Sequence, residues 1–254
     1  MFRLKNLCGR FSSLTMSSSS EIYVFLHGFT QDGGVGGGGQ IAKYVASLLH
    51  VPVEQPNLNQ PSFNQFSVSN AIKVIDQLYD QKEKEHGTSN AQIRMNLIGA
   101  SMGKNRLNRN LRKKTCVFLG GYIAARYAEL HPDRVKKLFL LCPAFGLAAR
   151  WREFVSGDEL DQWKSSGSYS YDGRQLHFEF FRDITENHPA YPQVSCPTSI
   201  VHGKSDSLVP INASRHFVKE QKHNQDIHLV EVDDDHYLTK SLFQIIPIVS
   251  QFLL

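Results

Sequence analysis

A serine, an aspartate and a histidine each follow an apolar, strand-like run in this chain. Ser101 is the central residue of Gly99-Ala100-Ser101-Met102-Gly103, which fits the pattern G-x-S-x-G and comes directly after the apolar run 95–98. Small residues around a serine permit the sharp strand-to-helix turn that exposes its hydroxyl. Because a serine hydroxyl attacks a carbonyl only when a base removes its proton, the pattern directs attention to a histidine and an acid.

The acid and the base follow later strands, in the order Ser, Asp, His. Asp206 lies in the loop after the apolar run Thr198–Gly203, and His236 follows the alternating run 228–232. The carboxyl ends of parallel strands share one sheet edge, where ligands bind. We therefore predict Ser101 as the nucleophile, His236 as the base, and Asp206 as the group that orients and charges the imidazole.

Hydrolysis through a serine also needs N–H donors for the oxyanion that forms on the attacked carbonyl. One predicted donor is the backbone N–H of Met102, the residue after the nucleophile. The second is the backbone N–H of Phe29, because a short segment separates it from the strand-like run 22–26. The serine, histidine and aspartate together supply nucleophile and base, so no metal or organic cofactor is expected.

With these residues the chain resembles the α/β-hydrolases and, more narrowly, the YqiA-like group of small serine esterases. The resemblance covers roughly 21–254 and implies esterase or thioesterase activity on a small acyl substrate. It implies an α/β-hydrolase fold: a mostly parallel sheet flanked by helices, with a short helical, aromatic cap. The matching segments are 25–29, the serine turn, 121–127, 141–144, and the loops that carry Asp206 and His236.

Other polar residues near these strand ends have simpler interpretations. His27 and His202 stand beside glycines and are predicted to be structural. The three aspartates at 233–235 are weaker rivals of Asp206 for the role of the acid and are predicted to form a solvated turn. Asp206 itself has an alternative interpretation as a turn residue, since aspartate is common in turns. The glycine-rich run 33–39 lacks the Gly-Lys-Ser/Thr ending of a phosphate-binding loop, and we predict a flexible loop there.

The remaining pattern alternates strands and helices, which predicts a parallel sheet with helices on both faces. Between about 144 and 191 this alternation breaks, and aromatic residues are interleaved with charges. A cap over an active site is expected here, its rings either lining an acyl pocket or packing the cap onto the sheet. The predicted helices are 40–49, 69–79, 121–130, 212–222 and 241–252, and further predicted strands are 51–54 and 135–141.

Length and composition indicate one globular domain, 21–254, after a leader, 1–20. The chain has 254 residues, 41% of them hydrophobic, and no apolar run of membrane-spanning length. The spacing of its four cysteines is typical neither of a metal site nor of a disulfide framework, which is consistent with a reducing compartment such as the cytoplasm. The first sixteen residues are basic and free of acids, which is typical of a plastid or mitochondrial transit peptide. An unstructured leader, or an assigned start site that precedes a true start at Met16, is an equal alternative.

One segment departs from the resembled pattern. Residues 104–120 separate Gly103 from Gly121, and removing them restores Gly-x-Ser-x-Gly-Gly followed by the predicted helix. This insert holds six cations and no acid, so the rest of a chain of net charge +4 carries −2. Three interpretations are open: a retained intron, which we favour, an isoform of reduced activity, or a basic patch for an anionic partner. We expect an impaired enzyme, because 1 Å of displacement in a site can cost about a hundredfold in rate.

The sequence therefore predicts a serine hydrolase that cleaves a carboxylic ester or thioester through an acyl-enzyme at Ser101. The alternative is a non-catalytic ligand-binding or receptor protein on the same fold, since fold alone does not determine function. Neither interpretation requires a nucleic acid partner or a transmembrane segment. Acyl chain length, leaving group and oligomeric state stay open.

Overall fold

The computed structural model describes residues 20–28, 37–86, 92–101, 119–153, 155–171 and 173–253. The leader up to 19, most of the insert (104–118), Phe29 and Met102 lie outside these residues. The strands are β1 (Glu21–Leu26), β2 (Val53–Glu54), β3 (Arg94–Ala100), β4 (Val135–Leu141), β5 (Ser168–Tyr171), β6 (Arg174–His177), β7 (Thr198–Gly203) and β8 (Ile227–Val232). The α-helices are α1 (Gly37–Leu49), α2 (Val68–His86), α3 (Gly120–Leu130), α4 (Leu147–Arg150), α5 (Gly157–Ser166), α6 (Glu179–Glu186), α7 (Asn212–Glu220) and α8 (Leu242–Leu253).

Six strands form one sheet in the order β2-β1-β3-β4-β7-β8, and every neighbouring pair in it is parallel. The chain first adds β2 on one side of β1 and then continues from β3 on the other side. The order therefore reverses between β1 and β3, where open parallel sheets bind ligands at their carboxyl edge. The predicted parallel sheet is confirmed.

Strand alternation divides the core between the two faces of the sheet. On β3, Leu97 belongs to a cluster with α2 and α3, whereas Ile98 belongs to a second cluster with α1 and α8. β4 divides in the same way, with Leu140 in the first cluster and Leu141 in the second. Because both faces are covered, the strands are almost continuously apolar, as expected of a buried parallel sheet.

Most predicted elements are present, and the differences have local causes. Strands 135–141 and Thr198–Gly203 are confirmed, whereas predicted strand 51–54 is only Val53–Glu54, because Pro52 has no N–H for a sheet. Helix α2 runs seven residues beyond the predicted 69–79, and in this extension Lys82 pairs with Glu85 on the same helix and with Glu54 of β2.

The glycine-rich run was predicted to be a flexible loop, and for 37–39 that prediction is wrong. Helix α1 begins at Gly37, and its later residues Ala42 and Val45 are fully buried in the second core cluster. Glycine costs about 1 kcal/mol in a helix relative to alanine, a weak preference that tertiary packing overrides. Residues 33–36 lie outside the described residues.

Helix α3 begins at Gly120, one residue before the predicted start at Gly121, and it packs very closely on the sheet. A Cβ atom on Gly120 would lie 2.3 Å from the Leu26 carbonyl oxygen and 2.5 Å from that of Ala100. A Cβ on Gly99 would lie 2.7 Å from the Cα of Gly121. Glycines here allow the helix to begin directly against the carboxyl ends of β1 and β3.

The segment 144–191, predicted as a helical and aromatic cap, contains α4, α5 and α6 and also a hairpin that was not predicted. Strands β5 and β6 pair antiparallel around Gly173, which has a φ of +76°. The dipeptide Asp172-Gly173 between these strands was the available signal. The rings of Trp151 and Trp163 lie 5.8 Å apart and are almost completely buried, so these two aromatic residues pack the segment's own core.

We expect Gly120→Ala to destabilise the fold by about 1–3 kcal/mol, because the added methyl overlaps carbonyl oxygens that belong to two strands. Gly157→Ala is the matched control, since a Cβ there meets no atom within 4 Å. Chemical denaturation of both variants measures the difference. Equal free energies of unfolding would contradict the close packing of α3.

Candidate active site

Ser101 is held at the end of β3 by the sheet itself. It directly follows Ala100, the last residue of β3, and its N–H donates to the Leu141 carbonyl oxygen at 3.0 Å. The residue is fully buried. Its backbone is therefore fixed by pairing with β4, between the start of α3 and the loops that follow β7 and β8.

The aspartate and the histidine meet beside this serine. Nδ1 of His236 lies 2.6 Å from Oδ2 of Asp206, and Nε2 of the same ring lies 3.1 Å from the Ser101 backbone oxygen. The short contact with a carboxylate requires a proton on Nδ1. Nε2, on the opposite side of the ring, is the nitrogen that lies at the serine residue, and the structure brings all three predicted catalytic residues together.

Two loops converge on this pair because a glycine lets them touch. A Cβ on Gly203 would lie 2.5 Å from the carbonyl oxygens of both Asp234 and Asp235. The Ser205 N–H also donates to the Asp234 carbonyl oxygen at 3.0 Å. The loop that carries Asp206 is thus packed directly on the loop that carries His236.

Asp206 is a buried carboxylate surrounded by donors. Its Oδ1 accepts the N–H groups of Leu208 and Val209 at 2.9 and 2.8 Å. Burial alone would raise the pKa of this carboxyl, but hydrogen bonds from His202, His236 and Val209 outweigh burial and lower the pKa below its ordinary value. Asp206 is therefore ionised, the state in which it stabilises an imidazolium.

Of the three aspartates before His236, only Asp234 differs from the prediction of a solvated turn. Asp233 and Asp235 are exposed, but Asp234 is 3% exposed. Its Oδ1 accepts the Asp235 N–H at 2.8 Å, and its Oδ2 accepts the N–H groups of Lys240 and Ser241, both at 2.8 Å. Asp234 thus organises the loop that leads from His236 into α8, a role that the sequence did not indicate.

His27, predicted to be structural, bonds to the backbone through both ring nitrogens. Nε2 accepts the Leu58 N–H at 3.0 Å, so the proton is on Nδ1, which donates to the Gly28 carbonyl oxygen at 2.7 Å. His27 therefore restrains the carbonyl of Gly28 at the end of β1. The two predicted oxyanion donors, Phe29 and Met102, lie outside the described residues.

A second grouping of serine, histidine and aspartate joins α2 to the end of α6. Ser69 donates both its N–H and its hydroxyl to Asp183, and His188 lies 3.3 Å from the same carboxylate. Arg126 donates to His188 Nδ1, which leaves the proton on the nitrogen that faces Ser69. This histidine cannot act as a base toward Ser69, and the cluster anchors the segment 144–191 to the sheet domain.

Within the described part of the chain, one group of three residues has the types and spacing of metal ligands. Cys142, His202 and Asp206 present ligand atoms within 4.8 Å of one another, all in buried positions. Burial, followed by the charge of Asp206, raises the pKa of the Cys142 thiol, whereas a metal ligand must be a thiolate. The carboxylate oxygens are already hydrogen-bonded, so these residues fit a metal poorly.

The fold is that of the α/β-hydrolases. The chain is similar to alpha/beta hydrolase domain-containing protein 10 from mouse, with 14% identity and a TM-score of 0.64 over 93% of this chain and 90% of that one. It is similar to Est1E from Butyrivibrio proteoclasticus, with 19% identity and a TM-score of 0.66 over 92% and 87% of the two chains. A monoacylglycerol lipase from Paleococcus ferrophilus has 17% identity and a TM-score of 0.59 over 92% and 97%.

No protein-family model matches the sequence, and no curated protein matches it significantly. Among the residues that the structure describes, no helix is long and apolar enough to cross a membrane.

The two buried carboxyls predict an acid-sensitive fold. Burial raises the pKa of Asp183 less than hydrogen bonds from His188 and Ser69 lower it, so its folded pKa, like that of Asp206, is depressed. Such groups stabilise the fold above their unfolded pKa of about 3.9, and this contribution is lost as pH falls through the folded value. We expect Tm to fall below about pH 5, and to fall less in Asp183→Asn than in the unmodified protein.

Asp233→Asn is the control for this experiment, because the side chain of Asp233 is 89% exposed. Thermal unfolding followed by circular dichroism between pH 7 and pH 2 gives the three curves. An Asp183→Asn variant that lost stability as steeply as the unmodified protein would contradict the interpretation.

Proposed function

We propose that this protein is a serine hydrolase that cleaves a carboxylic ester or thioester through an acyl-enzyme at Ser101. The observation that carries the proposal is the His236 ring, whose two nitrogens contact Asp206 at 2.6 Å and the Ser101 backbone at 3.1 Å. This order of acid, base and hydroxyl residue is what activates a serine. Its place at the carboxyl edge of the sheet adds support.

In the proposed reaction, His236 Nε2 takes the hydroxyl proton as Ser101 Oγ bonds to the acyl carbon. The carbonyl electrons move to oxygen, and the imidazolium is stabilised by the ionised Asp206. Collapse of this intermediate breaks the bond to the alcohol or thiol, which leaves with the proton from Nε2. Water then attacks the acyl carbon of the acyl-enzyme while His236 takes its proton. Collapse of this second intermediate breaks the bond to Ser101, returns the proton to its Oγ and releases the acid.

The developing oxyanion needs N–H donors, and Phe29 and Met102 are the candidates by sequence. The restraint that His27 places on the Gly28 carbonyl supports a fixed backbone just before Phe29. On the other side, Leu119 precedes α3 where that helix meets the end of β3. First-turn N–H groups have no acceptor within their helix, and they lie at its positive end. We infer that in this chain the Leu119 N–H takes the role expected of Met102.

We further propose that the substrates are small esters or thioesters, as the resemblance to the YqiA-like serine esterases implies. The similarity to a protein named as a monoacylglycerol lipase supports an acyl ester as the substrate class. We also propose that the protein is located in the cytoplasm, or in a plastid or mitochondrion if 1–16 act as a transit peptide. The rival is a non-catalytic binding protein on this fold, which a ligand-induced rise in Tm without turnover would favour.

We expect a fluorophosphonate probe to label the full chain at Ser101, and Ser101→Ala to abolish labelling, because the probe reacts only with an activated serine. A variant lacking 104–120 should label faster, since deletion restores the continuous turn from Ser101 into α3. Gel fluorescence with p-nitrophenyl ester turnover measures both effects. Labelling that survived Ser101→Ala would overturn the proposal. Equal labelling rates for the full chain and the variant lacking 104–120 would refute the expectation that the insert impairs the enzyme.

The donor assignment is tested by proline, which removes a single backbone N–H. We expect Leu119→Pro to lower kcat of the full chain about 100- to 1,000-fold, as loss of one oxyanion donor does, while Leu119→Ala keeps the N–H and most of the activity. Met102→Pro is the matched variant, with little effect expected. The reverse ranking of the two proline variants would return the donor role to Met102.

A further inference from the structure

We propose that His202 is a positioning residue that holds the Asp206 carboxylate against His236, so that this site contains two histidines on one acid. The proposal rests on the proposed function, because positioning matters only if Asp206 and His236 act on Ser101. The sequence suggested only a structural histidine beside Gly203. The spacing of four residues between His202 and Asp206 was the signal available.

The hydrogen bonds of His202 define which nitrogen carries the proton. Nε2 lies 2.9 Å from the Val209 carbonyl oxygen and 3.2 Å from Oδ2 of Asp206. Both of these atoms are acceptors, so Nε2 must carry a proton that it shares between them. Nδ1 lies 2.7 Å from the hydroxyl of Ser214, which donates to it in the neutral ring. His202 is therefore a fixed donor toward Asp206.

His202 holds the carboxylate in two ways. Directly, its N–H lies against Oδ2, the same oxygen that His236 contacts at 2.6 Å. Indirectly, it holds the Val209 carbonyl, and the Val209 N–H donates to the other carboxylate oxygen, Oδ1, at 2.8 Å. Rotation of the carboxylate away from His236 would break both sets of contacts. The ring is fully buried, so water does not compete for this position.

Sharing Oδ2 between two N–H groups also limits how strongly the carboxylate attracts the proton on His236. Among the described residues, the other titratable groups around these side chains are the Cys142 thiol at the end of β4, Asp234 in the loop after β8 and Glu231, which pairs with His202 across β7 and β8. The Tyr237 ring contacts His236 edge-on. Asp234 is occupied by loop N–H groups. Removing the His202 donor therefore leaves a more strongly attracting Asp206.

Three variants of one position separate positioning from folding. His202→Gln can place an amide donor near the position of Nε2, whereas His202→Asn places its amide near Nδ1 and does not reach Asp206. His202→Phe keeps a ring without a donor. Ser214→Ala is the control, because it removes the bond to Nδ1 and leaves the contact with Asp206 in place.

We expect His202→Phe and His202→Asn to lower kcat about 10- to 100-fold with little change in KM, as loss of a hydrogen bond to a charged group predicts. The acid limb of their pH–rate profile should move to higher pH, because the carboxylate attracts the His236 proton more strongly. His202→Gln should restore kcat and the profile, and Ser214→Ala should stay within about threefold of the unmodified protein.

The low-field proton NMR resonance of the Asp206–His236 hydrogen bond gives a readout without turnover. It should move downfield in His202→Asn and return in His202→Gln; an unmoved resonance and profile, with only Tm lowered, would overturn the positioning role. If His202→Phe does not fold, the Asn and Gln pair decides alone. Absence of turnover and probe labelling in both the unmodified protein and the variant lacking 104–120 would refute the proposed function, while the resonance would still test the contact.

Discussion

The buried charge of Asp206 is the interaction on which this site depends. Burying a carboxylate away from water costs free energy unless hydrogen-bond donors surround it. Here the donors are two histidines and the N–H groups of the loop that carries Asp206. Those donors fix the loop after β7, set the proton of His236 on Nδ1, and leave Nε2 at Ser101. Chemistry and local stability thus rest on the same hydrogen bonds.

The second constraint is steric. Helix α3 begins against the ends of β1 and β3, and the loop after β7 touches the loop before His236, in both cases because a glycine has no Cβ. These contacts bring strand ends that are distant in sequence within reach of one another. They also bear on the insert, since α3 begins beside Ala100 although seventeen residues, 102–118, separate Ser101 from Leu119.

The sequence was sufficient for the sheet, for most helices and for the three residues that meet at its carboxyl edge, because apolar strand runs and the loops that follow them are local patterns. It did not predict the hairpin β5–β6, the helical start at Gly37 or the burial of Asp234. Those features depend on packing between distant segments. The bond between His202 and Asp206 was also missed, since a histidine beside a glycine has many structural uses.

The most direct test of the account is to trap the acyl-enzyme. The full chain would be mixed with p-nitrophenyl acetate, quenched in acid within the first turnovers, and digested for peptide mass spectrometry. We expect one acetyl group on the peptide that contains Ser101, and none in Ser101→Ala. Release of nitrophenol with no acetyl group on Ser101, or with acetylation of another residue, would contradict it.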